Sequence, residues 1–168
     1  MYKQHLTNSM EREIELLKNL SAHIEESDLD FRLSEKTRST IELMQYLSGL
    51  GGIMLRWFIV NDLTQEEWEK IRADRKNVTI ADFAERLDKQ MADIRHYMGM
   101  VSEDDMFNKL VELPWKEKMS LGEAIMNCPV KWLASYRMQL FLNLKVNGKH
   151  DLATKHAWVI DSAEKSVG

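Results

Sequence analysis

What this sequence has little of narrows its reading first. A single cysteine, Cys128, stands among 168 residues. No internal disulfide can form, and no pair of thiolates is available for a zinc site. A reducing cytoplasm is the natural setting for such a chain. Two prolines and seven glycines interrupt it, so long helices are allowed. Long hydrophobic runs are missing too. The longest, LGGIMLRWFIV at 50–60, carries Arg56 and falls far short of the ~20 residues that span a bilayer. The opening MYKQHLTNSMEREIELL is charged throughout and lacks the apolar centre of a secretion signal. No membrane partner is expected. Basic charge is also scarce. A net charge of −4 argues against nucleic acid, which needs a concentrated positive face. RADRK at 72–76 comes nearest, but Asp74 interrupts it, and it reads as a solvated helix end.

What is present is helical. Hydrophobic residues make up 44% and charged residues 30%, the proportions of a soluble globular chain, and the length suits one domain over residues 1–168. Apolar side chains recur at three- and four-residue steps in four long segments. The first carries Leu6, Met10, Ile14, Leu17, Leu20 and Ile24. The second opens on the capping box Ser39/Glu42 and continues through Ile41, Met44, Leu47, Gly51, Leu55 and Phe58. The third starts at TIAD, 79–82, and carries Phe83, Leu87, Met91, Ile94 and Met98. The fourth opens on the capping box Ser120/Glu123 and runs through Leu121, Ile125, Cys128, Trp132, Tyr136, Gln139 and Asn143 to Asn147-Gly148, a left-handed stop.

No stretch alternates apolar and polar residues for long enough to predict a strand. Four amphipathic helices bury their stripes best against one another, as a four-helix bundle. TQEEWEKIRADRKN (64–77) predicts a short helix. GMVSEDDMFNKLVELPWKEKM (99–119) is too apolar for a free loop and predicts a long crossover linker, and DLATKHAWVID predicts a short additional helix. Gly51-Gly52 suits a close approach of two helices. Pro129 sits inside the fourth pattern, where it costs about 3 kcal/mol unless the helix yields. It is read equally well as a tolerated kink or as a shaper of a cavity beside Trp132.

Three stretches carry a likeness. FRLSEKTRSTIELMQYLSGL (31–50), LVELPWKEKMSLGEAI (110–125) and SYRMQLFLNLKVNG (135–148) resemble, in order and spacing, the DinB/YfiT-like family of metal-dependent four-helix-bundle enzymes. The resemblance implies an all-α, DinB-like bundle. It also implies a metal held by three histidines, one in the second helix and two set four apart in the fourth. Matched residue by residue, those positions fall on Tyr46, Trp132 and Tyr136. Indole binds no metal, and a phenol with a pKa near 10 must first lose its proton. The expectation is a degenerate site with no metal and no other cofactor.

The remaining candidates are read blandly. His5, His23, His96, His150 and His156 are scattered and read as surface or satisfied histidines. The acidic groups Glu25-Glu26/Asp28, Glu66-Glu67 and Glu103–Asp105 read as helix-end or solvated charges. No Glu-x-x-His pair supports a di-iron core, and Cys128 reads as a core thiol.

Two functions follow from the resemblance. One is a binding or interaction bundle whose vestigial pocket, lined by Tyr46, Trp132 and Tyr136 with Gln139 and Cys128 nearby, takes a small apolar or aromatic ligand. The other is a thiol-dependent, S-transferase-like enzyme, as some relatives are, in which Tyr46 or Tyr136 holds a thiolate without metal. Eleven methionines and five tryptophans, among them Trp57, Trp68 and Trp158, also suit a homodimer.

Overall fold

A computed structural model describes residues 1–160. The expected single domain over 1–168 extends into 161–168, which lie outside the described residues. The four long segments form α1 (Tyr2–Ser21), α2 and α3 (Thr40–Leu47, Leu50–Ile59), α5 (Ile80–Gly99), and α7 and α8 (Leu121–Ile125, Lys131–Val146) joined by a π turn at Met126–Val130. The short α4 (Gln65–Arg75) and α9 (Thr154–Trp158) lie where the sequence predicts them. The fold is all-α, and no helix among the described residues is long and apolar enough to cross a membrane.

The predicted stripes are the core. Leu6, Met10, Ile14, Leu17 and Leu20 of α1 and Phe83, Leu87, Met91, Ile94 and Met98 of α5 are all buried. Each such side chain withdrawn from water contributes about 1.5–3 kcal/mol. The helix-start signals are realised in hydrogen bonds: Ser39 N–H donates to Glu42 Oε2 at 2.8 Å, and Glu42 N–H returns to Ser39 Oγ at 3.4 Å. Ser120 and Glu123 repeat the exchange. At the far end of α8, Gly148 takes φ +110°. Lys149 N–H then reaches Leu144 O at 3.1 Å and Gly148 N–H reaches Lys145 O at 3.4 Å, the paired closure that a glycine at this position allows.

Packing follows an order that sequence neighbours do not suggest. α1 lies against α5 and α8, α3 against α5, and α2 against α8. The first and second long helices are therefore diagonal, as are the third and fourth, and two connections must cross the bundle rather than the one expected. The first, 22–39, holds Asp28, which is 1% exposed and not a solvated acid as its sequence context suggests. It accepts from Asn147 Nδ2 at 2.8 Å and lies 3.6 Å from Lys149 Nζ, tying this crossover to the end of α8. The second, 100–120, forms α6 (Asp105–Asn108) and an antiparallel hairpin, β1 (Leu110–Glu112) with β2 (Lys118–Ser120), in the register Val111↔Met119. Three-residue strands are too short to show alternation, so periodicity could not predict them. Lys109 Nζ donates to Ile59 O at 2.9 Å and Phe107 stacks on Tyr2 at 5.5 Å, which seats the crossover across one end of the bundle.

Two expected continuous helices are broken. The second divides at Ser48-Gly49, and a buried residue of α5 bridges the gap. Gln90, 1% exposed, donates from Nε2 to Leu47 O at 2.8 Å and accepts from Gly51 N–H. One side chain thus satisfies a carbonyl at the end of α2 and an amide at the start of α3. The glycines let it come close: a Cβ on Gly51 would meet Ile94 at 3.0 Å, and one on Gly52 would meet Asp93 at 2.9 Å. The fourth helix absorbs Pro129 in the π turn, whose wider ring gives the pyrrolidine room that a regular turn denies.

The largest fully buried side chain is charged. Arg137 is 0% exposed. Its Nε pairs with Glu13 Oε2 of α1 at 2.5 Å, Nη1 donates to Ala157 O of α9, and its guanidinium lies 4.8 Å from the Trp158 ring. Trp158 is itself 48% exposed, Phe58 is buried, and Trp57 meets Trp68 edge-on at 5.5 Å.

Glu13→Leu strands the Arg137 charge in the core and is expected to cost about 3–5 kcal/mol in urea unfolding. Gln90→Leu leaves two backbone groups unpaired and should cost about 2–4 kcal/mol. A loss below about 1 kcal/mol in either variant would show that water or relaxation replaces the lost partner.

Candidate functional site

Consecutive residues on a helix point about 100° apart. α8 buries Leu133, Arg137, Leu140 and Leu144, so its core stripe lies one residue on from the expected Trp132–Tyr136–Gln139 line. Those three residues are only partly buried and occupy the neighbouring flank. Asn143 alone of the lower part of that line is fully buried.

Tyr136 faces α2. Its ring meets Tyr46 edge-on, with centroids 4.8 Å apart and planes at 71°. The guanidinium of Arg38 covers both rings, 4.2 Å from the centroid of Tyr46 and 4.8 Å from that of Tyr136. Its backbone is held from α8: Gln139 Nε2 donates to Arg38 O at 3.3 Å and Asn143 Nδ2 at 3.4 Å. Arg75, at the end of α4, lies 5.5 Å from the same Tyr46 ring. Gly49, at the helix break, would bring a Cβ within 3.8 Å of Arg75 Nη2.

These groups line an open cleft of about 770 Å³, within the range of small-molecule sites. Its wall holds Tyr46, Tyr136 and Gln139, together with Arg32, Lys36, Arg38, Arg72, Arg75 and Lys76 against two carboxylates, Glu35 and Glu42. Four surplus positive charges thus gather here in a chain whose net charge is −4. RADRK, read from sequence as a solvated helix end, contributes Arg72, Arg75 and Lys76. The interrupting Asp74 turns away to pair with Arg86 at 2.8 Å, and Arg75 is partly buried. Periodicity finds apolar faces and has no signal for a cluster that three separate segments assemble.

The other predicted residues part company. Trp132 does not line the cleft. Its ring sits 6.2 Å from Trp115 in the hairpin loop. Cys128 is fully buried, and burial pushes its thiol up to about 11, with the charge of Glu117 adding. Among the histidines, His23 and His156 come together, rings 5.3 Å apart, though their sequence positions are remote. No group of three or more His, Cys, Asp or Glu side chains among the described residues is placed to hold a metal ion.

The residues at the resemblance's metal positions do not suit a metal. Burial raises the Tyr46 phenol above its ordinary value and Tyr136 adds to the rise, while Arg38 and Arg75 oppose it. It stays protonated at neutral pH, when a ligand oxygen would have to be bare. The Arg38 cation lies where the two rings converge and would repel a divalent ion. Trp132 offers only an N–H donor and does not line the cleft.

The Cys128 thiol generates a prediction. With its pKa at about 11, about one thiol in a thousand is ionised at pH 8. Native protein should therefore react with an aromatic disulfide reagent far more slowly than unfolded protein, and the native rate should rise with pH until about 11. Equal rates in the two states at pH 8 would contradict the burial described.

No family model matches this sequence and no curated protein does. Among solved structures, a candidate member of the DinB family from Exiguobacterium sibiricum superposes with a TM-score of 0.74 at 20% sequence identity, over 92% of this chain and 97% of that one. The chain has the all-α bundle fold of that DinB-type structure.

Proposed function

We propose that this chain is a small-molecule-binding bundle that works without a metal at the positions where a DinB-like protein would hold one. The observation that carries the reading is the Tyr46–Tyr136 pair, rings 4.8 Å apart, on the wall of a cleft of about 770 Å³. Half-buried tyrosines combine an apolar body with a hydroxyl that accepts or donates. Neither hydroxyl is hydrogen-bonded to another described residue, so both are available to a ligand. Polar groups surround the rings, which favours an amphipathic molecule over a purely apolar one.

A neutral solvatochromic dye should brighten on binding the wild-type chain. The gain should fall at least about tenfold in Tyr46→Ala and in Tyr136→Ala, with cooperative unfolding retained. No brightening, or brightening indifferent to both substitutions, would sink the reading. After incubation with zinc, nickel and manganese salts and desalting, metal retained on untagged protein should stay below about a tenth of an equivalent. A stoichiometric metal would overturn it.

A further inference from the structure

The charges of the cleft are more specific than its rings. Outside the cleft, four of the five arginines are ion-paired: Arg56 with Asp62 and Glu67, Arg86 with Asp74 and Asp82, Arg95 with Glu11 and Arg137 with Glu13. The fifth, Arg12, donates to Trp158 O at 3.0 Å. Within the cleft, Arg32 pairs with Glu42 at 3.4 Å. Arg38 and Arg75 have no ion-pair partner among the described residues, yet both bear on the ring of Tyr46. The Nε of Arg75 is buried and makes no hydrogen bond. Burial holds this guanidinium below its ordinary pKa, and the charge of Arg38 adds to that effect while Tyr46 and Asp74 oppose it. A partly desolvated cation beside a second cation is an unfavourable arrangement unless something negative completes it.

We infer that the cleft takes a small organic anion, a molecule whose carboxylate or phosphate is held between Arg38 and Arg75 while its body lies along Tyr46 and Tyr136. This rests on the reading of the cleft as a small-molecule site. Guanidinium is suited to the role: its planar fork matches an oxyanion and gives up hydration more readily than ammonium does. The tyrosine rings hold Arg38 in place by cation–π contact, so its donors are positioned before the ligand arrives. Arg72, Lys36 and Lys76 stand on the same wall and would draw an anion in from solution. Polyanions such as nucleic acid fit less well, because the positive surplus is confined to one cleft of an acidic chain.

Isothermal titration calorimetry on the full chain, at fixed chloride ionic strength, tests this with phenyl phosphate, benzoate and neutral phenol. At least one of the two anions should bind at least about tenfold more tightly than phenol. The tighter of the two assigns the head group as phosphate or carboxylate. Arg38→Gln and Arg75→Gln should each weaken the preferred anion by about tenfold or more while leaving phenol within about threefold. Arg75→Gln should also leave the melting temperature unchanged or raise it, since it removes an unpaired cation. A residue that merely supported the fold would lower it.

If phenol binds as well as the anions, or the glutamine variants bind them as wild type does, the anion assignment falls and the small-molecule reading stands. If none of the three binds, both fall.

Discussion

The buried charge of Arg137 is the constraint around which the rest is arranged. A guanidinium at zero exposure in a helical core is costly unless its charge is paired. Nη2 alone makes no hydrogen bond to the described residues, while Nη1 donates to a carbonyl in α9, the face of Trp158 covers the group, and Nε pairs with Glu13 on α1. That contact fixes the rotation of α8 about its own axis. With Arg137 turned to α1, the preceding residue points about 100° away, and Tyr136 meets Tyr46 on α2. The internal ion pair and the external cleft are thus two consequences of a single helical setting.

Two irregularities interrupt the long helices. A straight second helix would carry a regular turn through Ser48-Gly49. The break there is satisfied by Gln90, whose side chain takes up Leu47 O and Gly51 N–H. The π turn around Pro129 separates α7 from α8, so that the upper half of the fourth helix packs Cys128 and Ile125 inward while the lower half presents the tyrosine.

In the proposed reading, Tyr46 and Tyr136 stand at two of the three positions that the resemblance assigns to metal ligands, and the charge around them is the reverse of what a metal needs. Three neutral imidazoles around a divalent cation present lone pairs to a positive centre. Two phenols beneath a guanidinium, with a second guanidinium near one of the rings, present donors and positive charge, which suits the proposed anion.

Much of this molecule was legible in its residues, because local rules govern them. The capping boxes at Ser39/Glu42 and Ser120/Glu123, the glycine stop at Gly148 and the stripes of α1 and α5 each depend on side chains within one or two turns. Such short-range chemistry is indifferent to what the rest of the chain does. Tyr46 and Tyr136 were placed together by resemblance, and Trp132 was grouped with them although its ring turns to Trp115. Burial of Asp28 and Gln90, the charge inside the core and the pairing of His23 with His156 all depend on contacts between residues dozens of positions apart. Likewise Arg38 from a crossover, Arg75 from α4 and Tyr136 from α8 share a cleft only after the bundle closes, and the nearby Asp74 ion-pairs with Arg86 rather than with either guanidinium. By itself the sequence determined a set of amphipathic helices and where they begin and end, since each helix's apolar face and caps are encoded locally. Tertiary structure decided which flank of α8 faces the core and which cations are left without partners, because helix rotation and charge pairing depend on distances that no spacing along the chain contains.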